Sequence, residues 1–419
     1  MTLTLLMVGG WLAMSAMNAA DLATLGDGKT DATAAIQAIL DSAAEKGGGE
    51  VSVPAGQYAI RGSLHVPRGV TLAGSWQAPH HSQSLTGTVL LAYGGRDKPE
   101  DPALVELAPN AALRGVTIFY PKQRCPDVVP YPPAVRGHGM HASVLDVTLV
   151  NPYVGIDFTQ PHELHYIRNV FGCPLSVGVD IDGCTDIGRV ENVHFNPHYW
   201  MRLGVEGAPR EGVPNWDGLR DWLWDHCTAF RVARSDWEYH LNTFSYGCRA
   251  GYHFVATERG ACNGNFLGIA ADWAWRALLV EQTQRAGLLI TNGEWVGGSG
   301  AEAMVETGDD FSGVLQLANC SFWGPAERIA RIGGRGHVSF VQCNFCDWDA
   351  GKKGVPAIEA RGGSLIVQGS RFWRDRLSLL LDPGLQAAII TGNVFTGRVG
   401  VDNRSQAHVE QGMNITLPH

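Results

Sequence analysis

The stretch VGIDFTQPHELHYIRNVFGCPLSVGVDI, residues 154–181, contains one complete structural repeat and the start of the next. Its first and last five residues, VGIDF and VGVDI, follow the same alternation of apolar and polar side chains, one repeat apart. Between them, residues 166–171 alternate again and end in Asn-Val-Phe. Alternation with a period of two predicts short β-strands. Each repeat therefore contains at least two of them.

The same pattern continues along the chain, since an asparagine or small residue recurs just before an aromatic residue. The aromatic positions are Phe171, Phe195, Phe244, Phe266, Trp295, Phe322, Phe345, Phe372 and Phe395. Seven of the eight steps between them are close to one length, roughly 25 residues, which lies in the range of solenoid repeats. Propeller blades need about 40 residues or more, and helical repeats would show a 3.6-residue period. The spacing predicts an all-β solenoid, a parallel β-helix.

Three segments depart from the repeat. The one long step, from Phe195 to Phe244, contains a tryptophan-rich stretch, residues 196–227, that we interpret as a long loop projecting from one coil. A proline-rich stretch, residues 120–135, predicts a second surface insertion. Residues 31–44 predict a short capping helix with Thr30 or Asp31 as N-cap, ended by the glycines at 47–49. We expect one domain over residues 21–419.

Composition limits the function classes. The 419 residues are 45% hydrophobic and 17% charged, with a formal net charge of −9 and no long basic run. A nucleic-acid partner is therefore not expected. Residues 4–17 resemble the apolar core of a signal peptide, so residues 1–20 predict export to the periplasm or the outside. No later stretch is long enough to span a membrane. The nine cysteines are interpreted mostly as small buried hydrophobic residues.

The N-terminal segment carries a family resemblance. The motifs GDGKTD at 26–31, GGGEVSVPAGQY at 47–58 and GVTLAG at 69–74 resemble the start of the pectate-lyase-like superfamily. The close match covers about residues 24–75, and the looser repeat match runs to about residue 405. The resemblance implies a right-handed parallel β-helix that acts on a polysaccharide or oligosaccharide. The superfamily includes polysaccharide lyases, glycosidases and phage tailspikes, so it does not select one reaction.

Aligning the strands places charged residues in one outward column. Asp157, Asp180, Arg231 and His253 fall in phase, with the long insertion between the second and the third, and Glu106 fits the same phase upstream. The column turns apolar at Leu279. In a stacked coil, residues in one column lie about 4.8 Å apart, as neighbouring strands do.

Two carboxylate pairs fit a glycoside hydrolase, our leading hypothesis. Asp157 and Asp180 would lie near the separation of about 5 Å that retaining enzymes use. Asp236 and Glu238, in the segment SDWEY at 235–239, would supply a partner at a longer distance. The sequence leaves the choice between these pairs open. Arg231 would bind an acidic or hydroxyl-rich group of the sugar, and no cofactor is expected.

The same residues also fit a calcium-dependent lyase. Asp157 and Asp180 would then hold Ca²⁺, and Arg231 or His253 would remove the proton next to a uronate carboxylate. A third hypothesis is a glycan-binding β-helix without catalysis. Aromatic residues that would stack on sugar rings in any of these schemes are Tyr199, Trp200, Trp216, Trp222, Trp224 and Trp237. Alternatively, the tryptophans form the loop's own small core. His194 and His198 are expected at the mouth of the groove.

Overall fold

Parallel strands stack in register along the chain and form a right-handed parallel β-helix, as the sequence predicts. The computed structural model describes residues 22–79, 85–210 and 216–418. The predicted signal peptide lies outside these residues. One hydrophobic core runs through the described coils, from Leu22 to Phe395. Within the described residues, no helix is long and apolar enough to cross a membrane.

Sheet 1, the face that carries the predicted charged column, has thirteen parallel strands. They are Leu64–Val66, Val105–Leu107, Val135–Gly137, Val154–Phe158, Val177–Ile181, Thr228–Val232, Ala250–Phe254, Arg276–Val280, Val305–Thr307, Ala330–Ile332, Ile358–Ala360, Leu379–Leu381 and Val401–Asn403. Each strand pairs only with the corresponding strand of the coil before and the coil after it.

Sheet 2 wraps the rest of the coil and has twenty-five strands. They are Asp27–Asp31, Gly49–Ser52, Gly56–Ile60, Val70–Ala73, Thr88–Ala92, Ala112–Phe119, Ser143–Leu149, Tyr166–Gly172, Arg189–Phe195, Ser235–Leu241, Phe244–Tyr246, Cys262–Leu267, Ala270–Ala274, Leu288–Thr291, Glu294–Gly297, Val314–Ala318, Ser321–Trp323, His337–Val341, Asn344–Phe345, Gly363–Gln368, Arg371–Phe372, Leu385–Thr391, Val394–Thr396, His408–Gly412 and Ile415–Leu417. Two further short strands, Gly139–Met140 and His162–Glu163, pair at one corner of the coil.

The recurring asparagines turn the chain within each coil. Asn169 and Asn192 have φ values of 54° and 50°, in the left-handed region that asparagine tolerates better than most residues. Their side chains also bond along the axis, since Asn192 Nδ2 donates to Asn169 Oδ1 at 2.8 Å and Asn169 Nδ2 donates to Asp146 Oδ1 at 2.7 Å. The repeated asparagine therefore fixes both the bend and the stacking of successive coils.

In four successive coils near the C-terminal end, the aromatic residue after the turn points inward and stacks on its equivalent in the next coil. The ring centroids of Phe322 and Phe345, Phe345 and Phe372, and Phe372 and Phe395 are 5.5, 4.6 and 4.7 Å apart. All four rings are fully buried. The residues between one aromatic position and the next therefore make up one full coil, and the four rings form a column along the coil axis.

Helix α1, Thr33–Glu45, covers the first coil. It begins two residues later than predicted, and its N-cap is Ala32 and not Thr30 or Asp31. The Asp31 carboxylate, just before the N-cap, still accepts from Thr33 N at 3.0 Å. Gln37 bonds both backbone groups of His65, with Oε1 accepting from the amide at 2.8 Å and Nε2 donating to the carbonyl at 2.9 Å. The helix thus satisfies the open edge of the first strand of sheet 1.

The two predicted insertions are present. The described part of residues 196–227 contains helix α2, His198–Met201, a 3₁₀ turn at Trp216–Gly218 and helix α3, Leu219–His226. Residues 120–134 run without a strand between Ala112–Phe119 and Val135–Gly137. All nine cysteines are unpaired and seven of them are buried, which confirms their interpretation as mostly core residues.

We predict that Phe372→Ala destabilises the protein by about 3–5 kcal/mol, because it removes a ring held between two others and leaves a cavity. Its neighbour Trp373 is 51% exposed on the outer surface, so Trp373→Ala is the matched control, with an expected cost below about 1 kcal/mol. Urea unfolding followed by circular dichroism measures both. Equal losses for the two variants would contradict the stacking account.

Candidate active site

The predicted outward column exists on sheet 1. In-register pairing joins Glu106 to Arg136, Arg136 to Asp157, Asp157 to Asp180, Asp180 to Arg231, and Arg231 to His253. Asp157 and Asp180 therefore lie one strand spacing apart, about 4.8 Å along the axis. This confirms the alignment made from the sequence, while the chemical roles of these residues remain predictions.

The two aspartates are bracketed by arginines. Arg136 Nε donates to Asp157 Oδ2 at 2.7 Å, and Arg231 Nη1 donates to Asp180 Oδ1 at 2.7 Å. Asp157 also accepts from the backbone amide of Thr159 at 2.8 Å. The order of charges along the column is plus, minus, minus, plus. The pair is thus neutralised as a whole, although its two carboxylates remain adjacent.

The two carboxyl groups differ in environment. Burial raises the pKa of Asp180 above its usual value; Arg231 opposes this shift, and the nearby Asp157 and Asp182 add to it. Asp157 instead accepts hydrogen bonds from an arginine and from a backbone amide. Asp180 therefore keeps a proton more readily than an ordinary aspartate does.

His253 ends this part of the column. Its Nε2 lies 2.7 Å from Glu281 Oε1, and its side chain is 13% exposed. Burial lowers the pKa of His253, against the pull of Glu281, so the imidazole is uncharged at neutral pH. Beyond the predicted apolar position at Leu279 the column becomes charged again, at Glu306 and Arg331. The charged ladder is therefore longer than the sequence suggested.

The insertion borders one side of the column. Trp222 Nε1 donates to Leu175 O at 2.8 Å, and Trp224 Nε1 donates to Trp273 O at 3.0 Å. The backbone amide of Arg249, just before the strand Ala250–Phe254, donates to Leu223 O at 2.9 Å. Helix α3 therefore lies along the N-terminal ends of the strands that carry Asp180, Arg231 and His253.

A polar network borders the opposite side, at the C-terminal ends of the same strands. Arg259 Nη1 lies 3.2 Å from Asp182 Oδ2 and donates to Thr159 O at 2.6 Å. Arg234 donates to Asp236 and to the carbonyl of Arg259. The aspartate pair thus lies on a strip of sheet 1 between an aromatic border and an arginine-rich border.

Asp236 is placed in this second border and not in the column. Besides the contact with Arg234, its Oδ1 accepts from Gln284 Nε2 at 2.5 Å. Both donors hold the carboxylate at the edge of the sheet. Asp236 is therefore near the column, as expected, but it is already bound by two side chains.

The expectation that Glu238 faces the substrate is wrong. Glu238 is fully buried inside the coil, where Oε1 lies 3.2 Å from His165 Nε2 and Oε2 accepts from Ser235 Oγ at 2.5 Å. The cause is a bulge, because the register with the next strand shifts between Ser235 and Glu238. Trp237, at φ 66°, occupies that bulge and points outward. The extra residue turns Glu238 into the core.

The buried Glu238 forms an ion pair. Burial disfavours its charged form, but His165 outweighs this and holds the pKa of Glu238 well below its usual value. Burial likewise disfavours a charged His165, yet Glu238 raises the pKa of His165 to about 10. Both groups are therefore charged at neutral pH. Glu238 cannot act as the second carboxylate of a surface site.

Three of the predicted aromatic residues fit the surface role. Trp237 is 55% exposed beside Asp236, and Trp222 and Trp224 are partly exposed on helix α3. Trp224 also lies near Trp273 and Trp275, with ring centroids 6.3 and 5.7 Å away. These two tryptophans follow the repeat on the next coil, and the sequence prediction missed them because they lie outside the insertion.

The other predicted aromatic residues are in different places. Trp200 and Tyr199 are 1% and 2% exposed, so their assignment to sugar binding is wrong. Trp200 belongs to the main hydrophobic core, and the ring of Tyr199 packs 6.0 Å from that of Phe171 on sheet 2. Tyr199 bonds His194 Nδ1 at 3.2 Å on the outside of sheet 2, together with His198 nearby on helix α2. His194 is therefore not at the mouth of the strip. The side chain of Trp216 lies outside the described part of the structure.

The sequence prediction also missed Arg136. It lies in the strand Val135–Gly137, directly after a proline-rich segment that masked the alternation. Its position between Glu106 and Asp157, about one repeat from each, was the available signal.

Arg136 also bears on whether the aspartate pair could bind a metal ion. Since guanidinium groups already bind both Asp157 and Asp180, the pair does not offer the unpaired carboxylates that Ca²⁺ prefers.

A known family matches the N-terminal part of the chain. Residues 16–92 match the family described as rhamnogalacturonase A/epimerase, pectate lyase-like. The chain thus resembles the pectate-lyase-like superfamily of right-handed parallel β-helix proteins, as the N-terminal motifs predict.

Particular relatives can be named. Mannuronan C5-epimerase AlgE3 of Azotobacter vinelandii is 37% identical over 91 residues, which is 18% of this chain and 5% of that protein. The A-module of the A. vinelandii epimerase AlgE6 superposes with a TM-score of 0.54 at 14% identity, over 95% of this chain and 99% of that one.

Two further solved structures share the fold. A tailspike protein of E. coli bacteriophage HK620, in complex with a hexasaccharide, gives a TM-score of 0.53 at 12% identity, covering 93% of this chain and 76% of that one. A GH87 alpha-1,3-glucanase of Streptomyces thermodiastaticus gives 0.50 at 11% identity, covering 91% and 69%. At these identities the structural matches establish the fold.

We predict that Asp180→Asn raises the Tm at pH 7. Because the pKa of Asp180 is raised on folding, its ionised form destabilises the native state above the unfolded-chain value of 3.8, and this penalty disappears as the pH falls below that value. The gain should therefore shrink to nothing near pH 3.5.

Asp157→Asn is the matched comparison. It replaces an acceptor of two donors, one of them an arginine, so we expect a loss of about 1.5–3 kcal/mol at pH 7. Differential scanning calorimetry of both variants at pH 7 and at low pH separates the removal of an unfavourable charge at Asp180 from the loss of a hydrogen-bond acceptor at Asp157. A lower Tm for Asp180→Asn at pH 7 would refute the assigned environment.

Proposed function

We propose that the protein is a carbohydrate-active enzyme, a glycoside hydrolase, with its reaction centre at Asp157 and Asp180. One observation carries the proposal. Two carboxyl groups in neighbouring strands face outward in register, and burial favours the protonated form of one of them. Hydrolysis of a glycosidic bond needs a general acid and a second carboxylate at a fixed distance.

The two groups then divide the work. Asp180 donates its proton to the glycosidic oxygen while the Asp157 carboxylate attacks the anomeric carbon and forms a glycosyl ester. In the second step the Asp180 carboxylate takes a proton from water, and the resulting hydroxide releases the sugar from Asp157. A separation of one strand spacing matches the distance of about 5–5.5 Å in retaining enzymes. Net retention of anomeric configuration is therefore expected.

The arginines and the borders of the strip place the substrate. Arg136 orients the Asp157 carboxylate, and Arg231, which is 32% exposed, contacts an acidic or hydroxyl-rich group of the sugar. Trp237 on one border and Trp222 on the other offer ring faces to sugar units on either side of the cleavage point. A strip that runs along the coil axis suits a polysaccharide or oligosaccharide.

The comparisons support a carbohydrate substrate. The matched family is described by a rhamnogalacturonase and an epimerase, one fold relative is a glucanase, and another is a tailspike in complex with a hexasaccharide. The chain matches only 5% of the length of the epimerase AlgE3. The activity of that whole protein therefore enters here as one candidate among others.

A second candidate follows from His253. An uncharged imidazole beside Arg231 is suited to removing the proton next to a uronate carboxylate, with the arginine neutralising that carboxylate. The resulting carbanion gives either elimination of the neighbouring sugar or return of a proton to the opposite face. These are the reactions of lyases and epimerases. Short matches to mannuronan C5-epimerases and to alginate lyase 7, 51% identical over 45 residues, favour testing it.

A single substrate screen separates the candidates. Neutral and acidic polysaccharides, with alginate and pectin among the acidic ones, are incubated with the protein with and without calcium. Reducing ends, unsaturated-uronate absorbance and proton NMR of the sugar are read from each reaction. Reducing ends without unsaturation support the hydrolase. Unsaturation, or inverted C5 signals without chain cleavage, supports the second candidate. Binding without any change in the sugar would refute both.

We predict that Asp157→Asn and Asp180→Asn each lower kcat/KM at least about 100-fold on the substrate found, because each removes one half of the acid and nucleophile pair. Glu359→Gln is the control, since Glu359 lies in the same outward column but is several coils away and pairs with Arg328. Its kcat/KM should stay within about twofold. A loss below tenfold for either aspartate variant would overturn the assignment.

His253→Gln distinguishes the two candidates further. If His253 is the base, the variant loses nearly all activity and the wild-type enzyme incorporates deuterium from D₂O at the carbon next to the uronate carboxylate. If the aspartate pair does the chemistry, the variant mainly raises KM and no deuterium enters that position. The experiment compares initial rates and NMR spectra of products formed in D₂O.

A further inference from the structure

A second cluster of chemically active side chains lies inside the coil, directly behind the strand that carries Asp157. It consists of His162, His165 and Cys184, all buried, with one nitrogen of each histidine and the Cys184 sulfur within 4.8 Å of one another. A parallel β-bridge pairs Cys184 with His162 of the preceding coil. The ring of Phe158, next to Asp157, lies 5.2 and 5.1 Å from the two imidazoles.

The two histidines are oriented as metal ligands are. His162 Nδ1 lies 2.8 Å from the carbonyl of Gln160, and His165 Nε2 lies 3.2 Å from Glu238 Oε1. The remaining nitrogens, His162 Nε2 and His165 Nδ1, face each other at 2.9 Å. Metal-binding histidines characteristically donate their outer N–H to a carbonyl or carboxylate in this way, which fixes the ring and turns the other nitrogen toward the ion.

Gly188 makes the outer contact of His165 possible. It stands in the coil between His165 and Glu238, as the in-register pairs of the next residues, Tyr166, Arg189 and Tyr239, show. A Cβ at Gly188 would overlap both His165 and Glu238. The two side chains thus meet across an intervening coil only because that position is glycine. The Glu238 carboxylate reaches His165 through the space that a side chain at position 188 would fill.

The hydrogen bonds show which protons an ion would displace. The Gln160 carbonyl can only accept, so His162 Nδ1 donates to it and His162 Nε2 accepts from His165 Nδ1–H. The Cys184 thiol donates to Asp186 O at 3.6 Å. A divalent ion displaces two protons to solvent, one from His165 Nδ1 and one from Cys184.

We propose that His162 Nε2, His165 Nδ1 and Cys184 Sγ bind a zinc ion, with Glu238 as the outer partner of His165. Imidazole and thiolate are the ligands zinc prefers, at about 2.0–2.1 Å for nitrogen and about 2.3 Å for sulfur. Tetrahedral bonds of that length place ligand atoms about 3.4–3.6 Å apart. Small side-chain movements reach this geometry from the present one. The ion joins two neighbouring coils beneath Asp157, and this role is independent of the proposed reaction.

The sequence contains a signal for this site. His162 and His165 are three residues apart in PHELH, and Cys184 follows almost one repeat later. The spacing alone is short of a zinc motif, because the third ligand comes from the next coil. Only the in-register stacking brings it to the histidines.

The test uses the full-length protein, stripped with a chelator and then dialysed against zinc. Elemental analysis after gel filtration should find about one zinc per chain, with a Tm that rises with free zinc. Cys184→Ser and His162→Gln should each lose the bound zinc and the Tm response. Cys262→Ser is the matched control, because Cys262 is equally buried and stacks in the same column through Ser235 but is not a ligand. It should retain both.

Cobalt substitution gives a readout that does not need the variants to fold. Cobalt(II) bound to the wild-type protein should show a thiolate-to-cobalt charge-transfer band in the near ultraviolet, and zinc should abolish it. Absence of that band, absence of stoichiometric zinc in the wild type, or equal zinc retention by Cys184→Ser would each overturn the proposal. Retention of copper(I) in place of zinc would overturn the identity of the ion.

Discussion

The register between successive coils is the constraint on which the rest of this protein depends. Every strand of sheet 1 pairs with its equivalent in the next coil, so a side chain is placed by its position in the repeat and not by its distance along the chain. The whole insertion separates Asp180 from Arg231 in the chain, yet the two are direct neighbours. Gly155 and Gly178, at the same position of two successive repeats, let the coils approach closely at the strand starts, where a Cβ would overlap the next strand.

The cost of this arrangement is concentrated at the aspartate pair. Stacking places two carboxyl groups side by side on a partly buried surface, and the bracketing arginines compensate for the charge without removing the repulsion between the two neighbours. A structural column would be more stable with an amide at Asp180. Retaining an acid where burial disfavours its ionised form is typical of sites that perform proton transfer. The buried pair of Glu238 and His165 differs, because its two opposite charges pair with each other and Glu238 also accepts a hydrogen bond from Ser235.

The sequence predicted what depends on the repeat. The period and the alternation were sufficient to predict the fold, the column from Glu106 to His253, and the position of the long insertion. The errors come from places where the alternation is locally broken. A one-residue bulge at Trp237 turned Glu238 into the core, and prolines before Val135 concealed Arg136. The burial of Trp200 and Tyr199 depends on how the insertion folds back onto sheet 2, which has no periodic signal. His165 and Cys184 meet only through stacking.

Asp180 holds a proton more readily than an ordinary aspartate does, one strand away from the Asp157 carboxyl group. The most direct measurement is a carbon-13 NMR titration of the aspartate carboxyl groups in labelled protein, with Asp180 assigned from its missing signal in Asp180→Asn. We expect an apparent pKa for Asp180 above the usual value of 3.8. We also expect this pKa to fall when Asp157 is replaced by asparagine. A pKa at or below the usual value, unchanged by that replacement, would contradict the account.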